Sequence, residues 1–355
     1  MSLPTSPNLP KEMLLNGFIL PAKYVLGPAT KILLLFTFAF ISAFKMVYYS
    51  IYTIPFCDFT TKLSIFGCVY ASMAVIFSSL RVLLILFGFD LNYFKRFIST
   101  IESIAPDCSA IRTIKRNRRL NLIILVITFI GHCTLCIIYR LSNIQNLFKA
   151  ALMITGDVFF EFGLLFLLNM ICNICVCLKA AFNQINSLIA NLNQASEQVF
   201  NSFDEIRNLR KKYSYAVRAT KHAEKLFRFF ITIFYIEYFS YNIANIVRAC
   251  GPRTHIDAIW LFVMLCRTTH LLILTYNLVS MNNLSRQGLE DLYEFSFKLN
   301  SIHLYHENDI FIARMALSDV GFTFADLFTI NNSFIISMFS LSLTLIIALT
   351  SFIYQ

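Results

Sequence analysis

Ile330-Asn-Asn-Ser-Phe-Ile-Ile-Ser-Met-Phe-Ser-Leu-Ser-Leu-Thr-Leu-Ile-Ile-Ala-Leu-Thr-Ser-Phe-Ile-Tyr-Gln355 is the stretch that decides the fold. It is long and apolar enough to cross a bilayer as a helix, which takes about 20 residues. Its hydroxyls are ordered. Ser333, Ser337, Ser340, Thr344 and Ser351 follow steps of four, three, four and seven, so they share one helix face, with Ile347 at the missing beat. Hydrocarbon offers a hydroxyl no partner beyond its own backbone. The stripe is therefore expected to face protein or water.

The rest of the composition points the same way. Hydrophobic residues make up 57% and charged residues 14%, with 37 Phe and a mean hydropathy of +0.65. A soluble protein carries about 25% charged residues, so a polytopic membrane protein is expected. Most of the ten cysteines sit in apolar stretches and do not form a disulfide framework. Cys172, Cys175 and Cys177 are close together, but no fourth ligand lies near, so no metal is expected. Pro4, Pro7 and Pro10 followed by Lys11 and Glu12 do not make a signal peptide.

Seven spans can be read, at about 30–54, 62–88, 120–140, 150–178, 226–248, 257–281 and 328–354. The connection 89–119 carries seven Lys or Arg, and 179–228 carries nine. The alternate connections hold only Arg140 with Lys149, and Arg248 with Arg253. Positive residues stay cytoplasmic, which puts the N-terminus inside and the C-terminus outside. The net charge of +10 is then a topology signal, with no nucleic-acid partner expected.

Cytoplasmic segments are expected to be helical. Phe182, Ile185, Leu188, Ile189 and Leu192 continue the fourth span as an amphipathic stripe, 206–230 leads into the fifth span, and 284–324 leads into the last. The expected organisation is all-α. It comprises an N-terminal segment (1–29), six spans with a ligand-binding bundle (30–281, including cytoplasmic extensions at 179–225), a cytoplasmic part of the seventh helix (282–327) and its pore-lining part (328–355). A G-protein-coupled receptor is excluded. All eight prolines lie outside the span interiors, and neither an Asp-Arg-Tyr nor an Asn-Pro-x-x-Tyr motif is present.

Phe322-Thr-Phe-Ala-Asp326-Leu-Phe-Thr-Ile-Asn331, followed by Thr344-Leu-Ile-Ile-Ala-Leu-Thr-Ser-Phe352, resembles the C-terminal signature of the insect gustatory receptors. That signature is Thr-Tyr, five apolar residues, then Gln-Phe. Thr344 and Phe352 match it, Leu345 replaces Tyr, Ser351 replaces Gln, and Asp326 stands where the family more often has Gly. The resemblance implies a tetrameric, ligand-gated, non-selective cation channel in the plasma membrane of a sensory neuron. Homo- or hetero-tetramers of related subunits and an extracellular small-molecule tastant are implied with it. The last helix of each subunit would line the pore. Four copies of Ser333, Ser337, Ser340 and Thr344 would then form hydroxyl rings able to replace part of a cation's hydration shell. Ile347 would form an apolar gate, with Ser351 above it. Two other readings remain at this point: a non-conducting receptor or co-receptor subunit, and a secondary transporter.

Ionisable residues inside spans are costly and mark functional sites. Asp157 and Glu161 share a face of the fourth span. Glu237 lies in the fifth, Arg267 and His270 in the sixth. Glu161, Glu237 and Arg267 all fall about 15 Å below the outer ends of their spans. With Tyr235, Tyr238, Tyr241, Phe159 and Trp260 nearby, these residues are the expected ligand-binding set. An internal Arg267–Glu salt bridge would explain the same charges, and His132 reads as a hydrogen-bonded structural residue. No phosphate loop, zinc-protease motif or nucleophile elbow is present, so neither an enzyme nor a cofactor is expected.

Overall fold

A computed structural model describes residues 40, 61–87, 90–142, 147–194, 202–250, 258–317 and 319–354. The expected first span, 30–54, otherwise lies outside them. The described elements are α1 (Lys62–Phe87), α2 (Leu91–Glu102), α3 (Cys108–Ser142), α4 (Leu147–Gln194), α5 (Ser202–Ala249), α6 (Ala258–Arg286), α7 (Leu289–Ser296), α8 (Ile302–Leu317), β1 (Thr323–Phe324), β2 (Phe328–Thr329) and α9 (Asn332–Tyr354).

Two helices set the scale. α4 and α5 each run for 48 residues, about 72 Å at 1.5 Å per residue, more than twice the ~30 Å hydrocarbon core. Neither fits inside a membrane, so each must project beyond it. Among the described residues, four segments are long and apolar enough to span by length and composition: Cys108–Leu135, Met153–Gln194, Leu261–Ser296 and Asn332–Tyr354.

α4 is the axis of the fold. It packs against α3, α5, α6 and α7, and Leu167, Ile171, Ile174, Leu178, Phe182, Ile185 and Ile189 are wholly buried. Within the expected cytoplasmic stripe Leu188 turns outward, 36% exposed. α2 lies along α5, burying Phe94, Phe97, Ile98 and Ile101 at helical spacing. Asp90 caps its start by accepting from the Asn92 amide at 2.9 Å.

Beyond the span region, α7 and α8 fold back on α4 and α5. Polar side chains brace this end of the bundle. Arg210 reaches Glu307 at 2.7 Å, the Tyr213 hydroxyl donates to the Ser285 carbonyl at 3.2 Å, and Asn308 donates to the Leu292 carbonyl at 3.0 Å. At Gly288, the corner between α6 and α7, a Cβ would meet Ile189 Cδ1 at 2.8 Å and Asn186 Oδ1 at 2.9 Å. A larger residue at this corner would push those two side-chain ends aside.

The segment before the last span differs from the expected continuous helix. It folds as α7, α8 and a hairpin, with Phe324 opposite Phe328. The hairpin turn runs through Ala325 (φ 53) and Asp326 (φ 62) and closes with the Leu327 amide donating to the Phe324 carbonyl at 3.0 Å. Two successive left-handed residues are what a tight primed turn requires. Asp is among the few non-glycine residues that tolerate this region, which accounts for Asp326 at a position where the resembled family favours Gly. The last helix therefore starts at Asn332, with Asn331 capping its first turn by accepting from the Phe334 amide at 2.9 Å.

Seven described cysteines are free thiols, among them Cys172, Cys175 and Cys177, which are buried on α4; Cys68 is disulfide-bonded. Among the described residues no three His, Cys, Asp or Glu side chains gather as a metal site.

Candidate functional site

Among the described residues, α9 packs along one face. It packs on α5 and α1, and of its residues only Phe334 is buried. Ile335, Met338, Ser342, Ile346, Leu349 and Ile353 are half-buried, with Ile335 and Met338 against the core. Ser333, Ser337, Ser340, Thr344, Ile347 and Ser351 are all exposed. At 3.6 residues per turn the hydroxyl row and the packed row are centred about half a turn apart. Two exposed apolar flanks separate them: Ile336, Phe339 and Leu343 on one side, Leu341, Leu345 and Phe352 on the other.

Both ends of α9 are fastened. At the outer end by the predicted orientation, Lys62 of α1 donates to the Phe352 carbonyl at 2.9 Å, with its ammonium 4.8 Å from the Phe352 ring centroid. A cation suits a helix C-terminus, where carbonyls lack intrahelical partners. At the other end the hairpin is gripped by α5. Buried Glu224 accepts from Arg228 Nε at 2.6 Å and from the Thr323 hydroxyl at 2.6 Å, while Arg228 also reaches Asp326 at 2.8 Å. The Ala325 amide donates to the Thr232 hydroxyl at 2.9 Å. Tyr235, Phe324 and Phe334 form an edge-on aromatic cluster beside this grip.

A second constellation lies where α3, α4, α5 and α6 meet. Glu161 sits 3.4 Å from His132 Nε2 and 3.9 Å from Arg267. The Arg267 guanidinium lies 4.7 Å over the Tyr241 ring. His270 is held on both nitrogens, with Nε2 2.7 Å from the Thr128 hydroxyl and Nδ1 3.4 Å from the Tyr238 hydroxyl. Glu161, His132, His270, Tyr238 and Tyr241 are all buried. Four helices thus bring a carboxylate, a guanidinium, two imidazoles and two phenols together in one region.

Most of the expected ligand-binding set falls in this region. Glu161, Arg267 and Tyr241 join in one run of contacts that includes His132, and His270 joins Tyr238 to Thr128. Asp157 sits half-buried one turn along α4 from Glu161. Glu237 is buried on the turn of α5 that carries Tyr238 and Tyr241. Trp260 lies on the first turn of α6, and its side chain, like that of Phe159, is outside the described ones. Tyr235 faces elsewhere: its hydroxyl meets Thr275 at 2.8 Å and its ring packs on the hairpin and α9. Thr128 was not foreseen. It also bonds back to the Ile124 carbonyl at 3.0 Å, the usual fate of a threonine in an apolar helix, so nothing local marks it.

Solved structures carry the same architecture. The insect olfactory receptor OR5 from Machilis hrabei in complex with eugenol superimposes with a TM-score of 0.72 over 96% of each chain at 13% identity. The same receptor in a second structure gives 0.65 at 12% identity, over 88% of this chain and 87% of that one. This chain is a polytopic helical membrane protein with the fold of an insect olfactory receptor. No family model matches it, and no curated protein matches its sequence.

Proposed function

We propose that this protein is a subunit of a ligand-gated, non-selective cation channel that senses a small extracellular molecule. One observation carries the reading: the hydroxyl row of α9 points directly away from the face on which α9 packs. Thr344 returns its hydroxyl to the Ser340 carbonyl at 3.0 Å, but hydrocarbon offers a whole row of hydroxyls nothing beyond such bonds, and protein or water offers more. Four copies arranged around the row supply that, with the apolar flanks meeting neighbouring copies and Ser333, Ser337, Ser340 and Thr344 forming the water-filled lining. Ile347 forms the narrow apolar ring that closes the pore by dewetting. The olfactory-receptor fold and the gustatory-receptor resemblance of residues 322–352 support the same assignment, in the plasma membrane of a sensory cell.

The ligand site in this reading is the polar constellation around Glu161 and Arg267, together with Asp157, Glu237, Trp260 and His270. A ligand that fits the open arrangement better than the closed one shifts the population towards conduction. The density of donors and acceptors there suits a polar tastant.

The test needs no known ligand. Ile347→Ser is expressed beside Leu349→Met, which changes only the packed face. A pore gate made hydrophilic leaks, so Ile347→Ser gives a standing cation current at rest and Leu349→Met gives none. Ile347→Ser at normal surface density without current overturns the pore assignment.

A further inference from the structure

A basic cluster at the cytoplasmic end of the bundle has no carboxylate partner among the described residues. Arg218, Lys221 and Lys225 follow one another at helical spacing on α5, and Arg96 comes from the α2 helix packed against it. All four side chains are exposed. His222 sits among them, its ring 6.3 Å from the Tyr93 ring, and Lys225 Nζ lies 5.7 Å over that same ring. Burial first, then Arg96, Lys225 and Arg218, hold the His222 imidazole below its ordinary value.

The nearby acids are already engaged. Glu224 is taken by Arg228 and Thr323, and Asp326 by Arg228. Among the described residues no carboxylate pairs with Arg96, Arg218, Lys221 or Lys225. Convergent cations from two elements, aromatic-backed and unneutralised, form an anion site.

Its position names the anion. The fifth span begins near residue 226, so 218–225 lie within about 12 Å of the membrane edge, at the depth of headgroups on the positive-inside face. Juxtamembrane clusters of Lys and Arg recognise anionic lipids, each cation adding to the attraction. We propose that Arg96, Arg218, Lys221 and Lys225 bind the clustered phosphates of a phosphoinositide headgroup in the cytoplasmic leaflet. Three residues past Lys225 stands Arg228, which holds the hairpin leading into α9. A headgroup drawn to Lys225 and Tyr93 acts beside that hold, so occupancy of the site is positioned to bias the last helix.

This inference rests on the inside-facing orientation of α2 and of the α5 extension, and not on conduction. Full-length protein in phosphatidylcholine nanodiscs is titrated with short-chain phosphatidylinositol bisphosphate, with phosphatidylserine and with free inositol trisphosphate, and thermal stabilisation is followed. The phosphoinositide stabilises at far lower concentration than phosphatidylserine. The Arg218→Gln/Lys225→Gln variant shifts its curve by about thirtyfold, and Lys221→Gln alone by about fivefold. Arg207→Gln/Lys211→Gln, farther from the membrane on the same helix, leaves it unchanged. Equal stabilisation by free inositol trisphosphate keeps the residues and assigns them to a soluble phosphate. Phosphatidylserine matching the phosphoinositide charge for charge, or an unshifted curve in both variants, overturns the proposal. Either failure leaves the channel reading standing, because no current enters the measurement.

Discussion

Arg228 and Asp326 lie 98 residues apart and meet at 2.8 Å. The same guanidinium grips buried Glu224 through Nε and a terminal nitrogen, at 2.6 and 2.9 Å. One side chain therefore ties the turn before the last helix to the middle of α5. The two carboxylates are not equivalent. Asp326 is exposed and Glu224 is buried.

Asp326→Gly should be close to neutral in stability. It removes a solvent-exposed ion pair worth under about 1 kcal/mol, and it relieves a left-handed residue at a penalty of about the same size. Glu224→Ala should destabilise by about 3 kcal/mol or more, because it leaves a partly buried guanidinium and the Thr323 hydroxyl without their acceptor. Thermal unfolding of the detergent-solubilised protein separates the two. A large loss from Asp326→Gly would refute this ranking.

Glu161 and Arg267 should be energetically coupled. Removing either partner of a buried pair is expected to cost about 3–5 kcal/mol. Glu161→Gln combined with Arg267→Met should lose less than the sum of the singles, since neither charge is then stranded. A double-mutant cycle on unfolding midpoints measures the difference. Strict additivity would mean the 3.9 Å approach carries no interaction.

His222 should make the protein acid-sensitive. Its folded-state value is depressed, so the unfolded chain binds the proton more readily. The corresponding stability is fully present above the ordinary histidine value, about 6.5, and is lost as pH falls through the lower folded one. His222→Gln should flatten stability against pH on the acid side of 6.5. An unchanged slope would show that other groups set it.

The end of the chain should be extracellular. A tag after Gln355 should label on intact cells, in line with the lysine and arginine distribution of the loops. Labelling only after permeabilisation would invert the orientation and remove the cytoplasmic-leaflet site with it.

Long apolar elements were the most legible in the sequence. Spans at 62–88 and 257–281 fall on α1 and α6, and the Phe182, Ile185, Ile189 stripe marks where α4 continues past its span. The hairpin was not legible. Two strands of two residues leave no alternating pattern, and Phe322–Phe328 reads as more apolar helix. Asp326 was seen as a departure from a family pattern, and its backbone angle explains why so short a polar side chain stands there. Depth along a span placed Glu161, Glu237 and Arg267 at one level, and the structure sets Glu161 and Arg267 3.9 Å apart. Azimuth was harder: Tyr235 and Tyr238 are three residues apart, yet one turns to α9 and the other to His270. Thr128 carried no signal because its hydroxyl also satisfies its own helix.

Lys62 at one end and the hairpin at the other pin α9 like an axle in two bearings. An axle cannot slide lengthwise without tearing out of a bearing, but it can roll. With hydroxyls on one side and apolar flanks on either hand, a roll of a fraction of a turn would, in the proposed channel, exchange one kind of surface for the other along the whole length at once. In the proposed channel, a short rotation of this one rod would be enough to change what an ion meets.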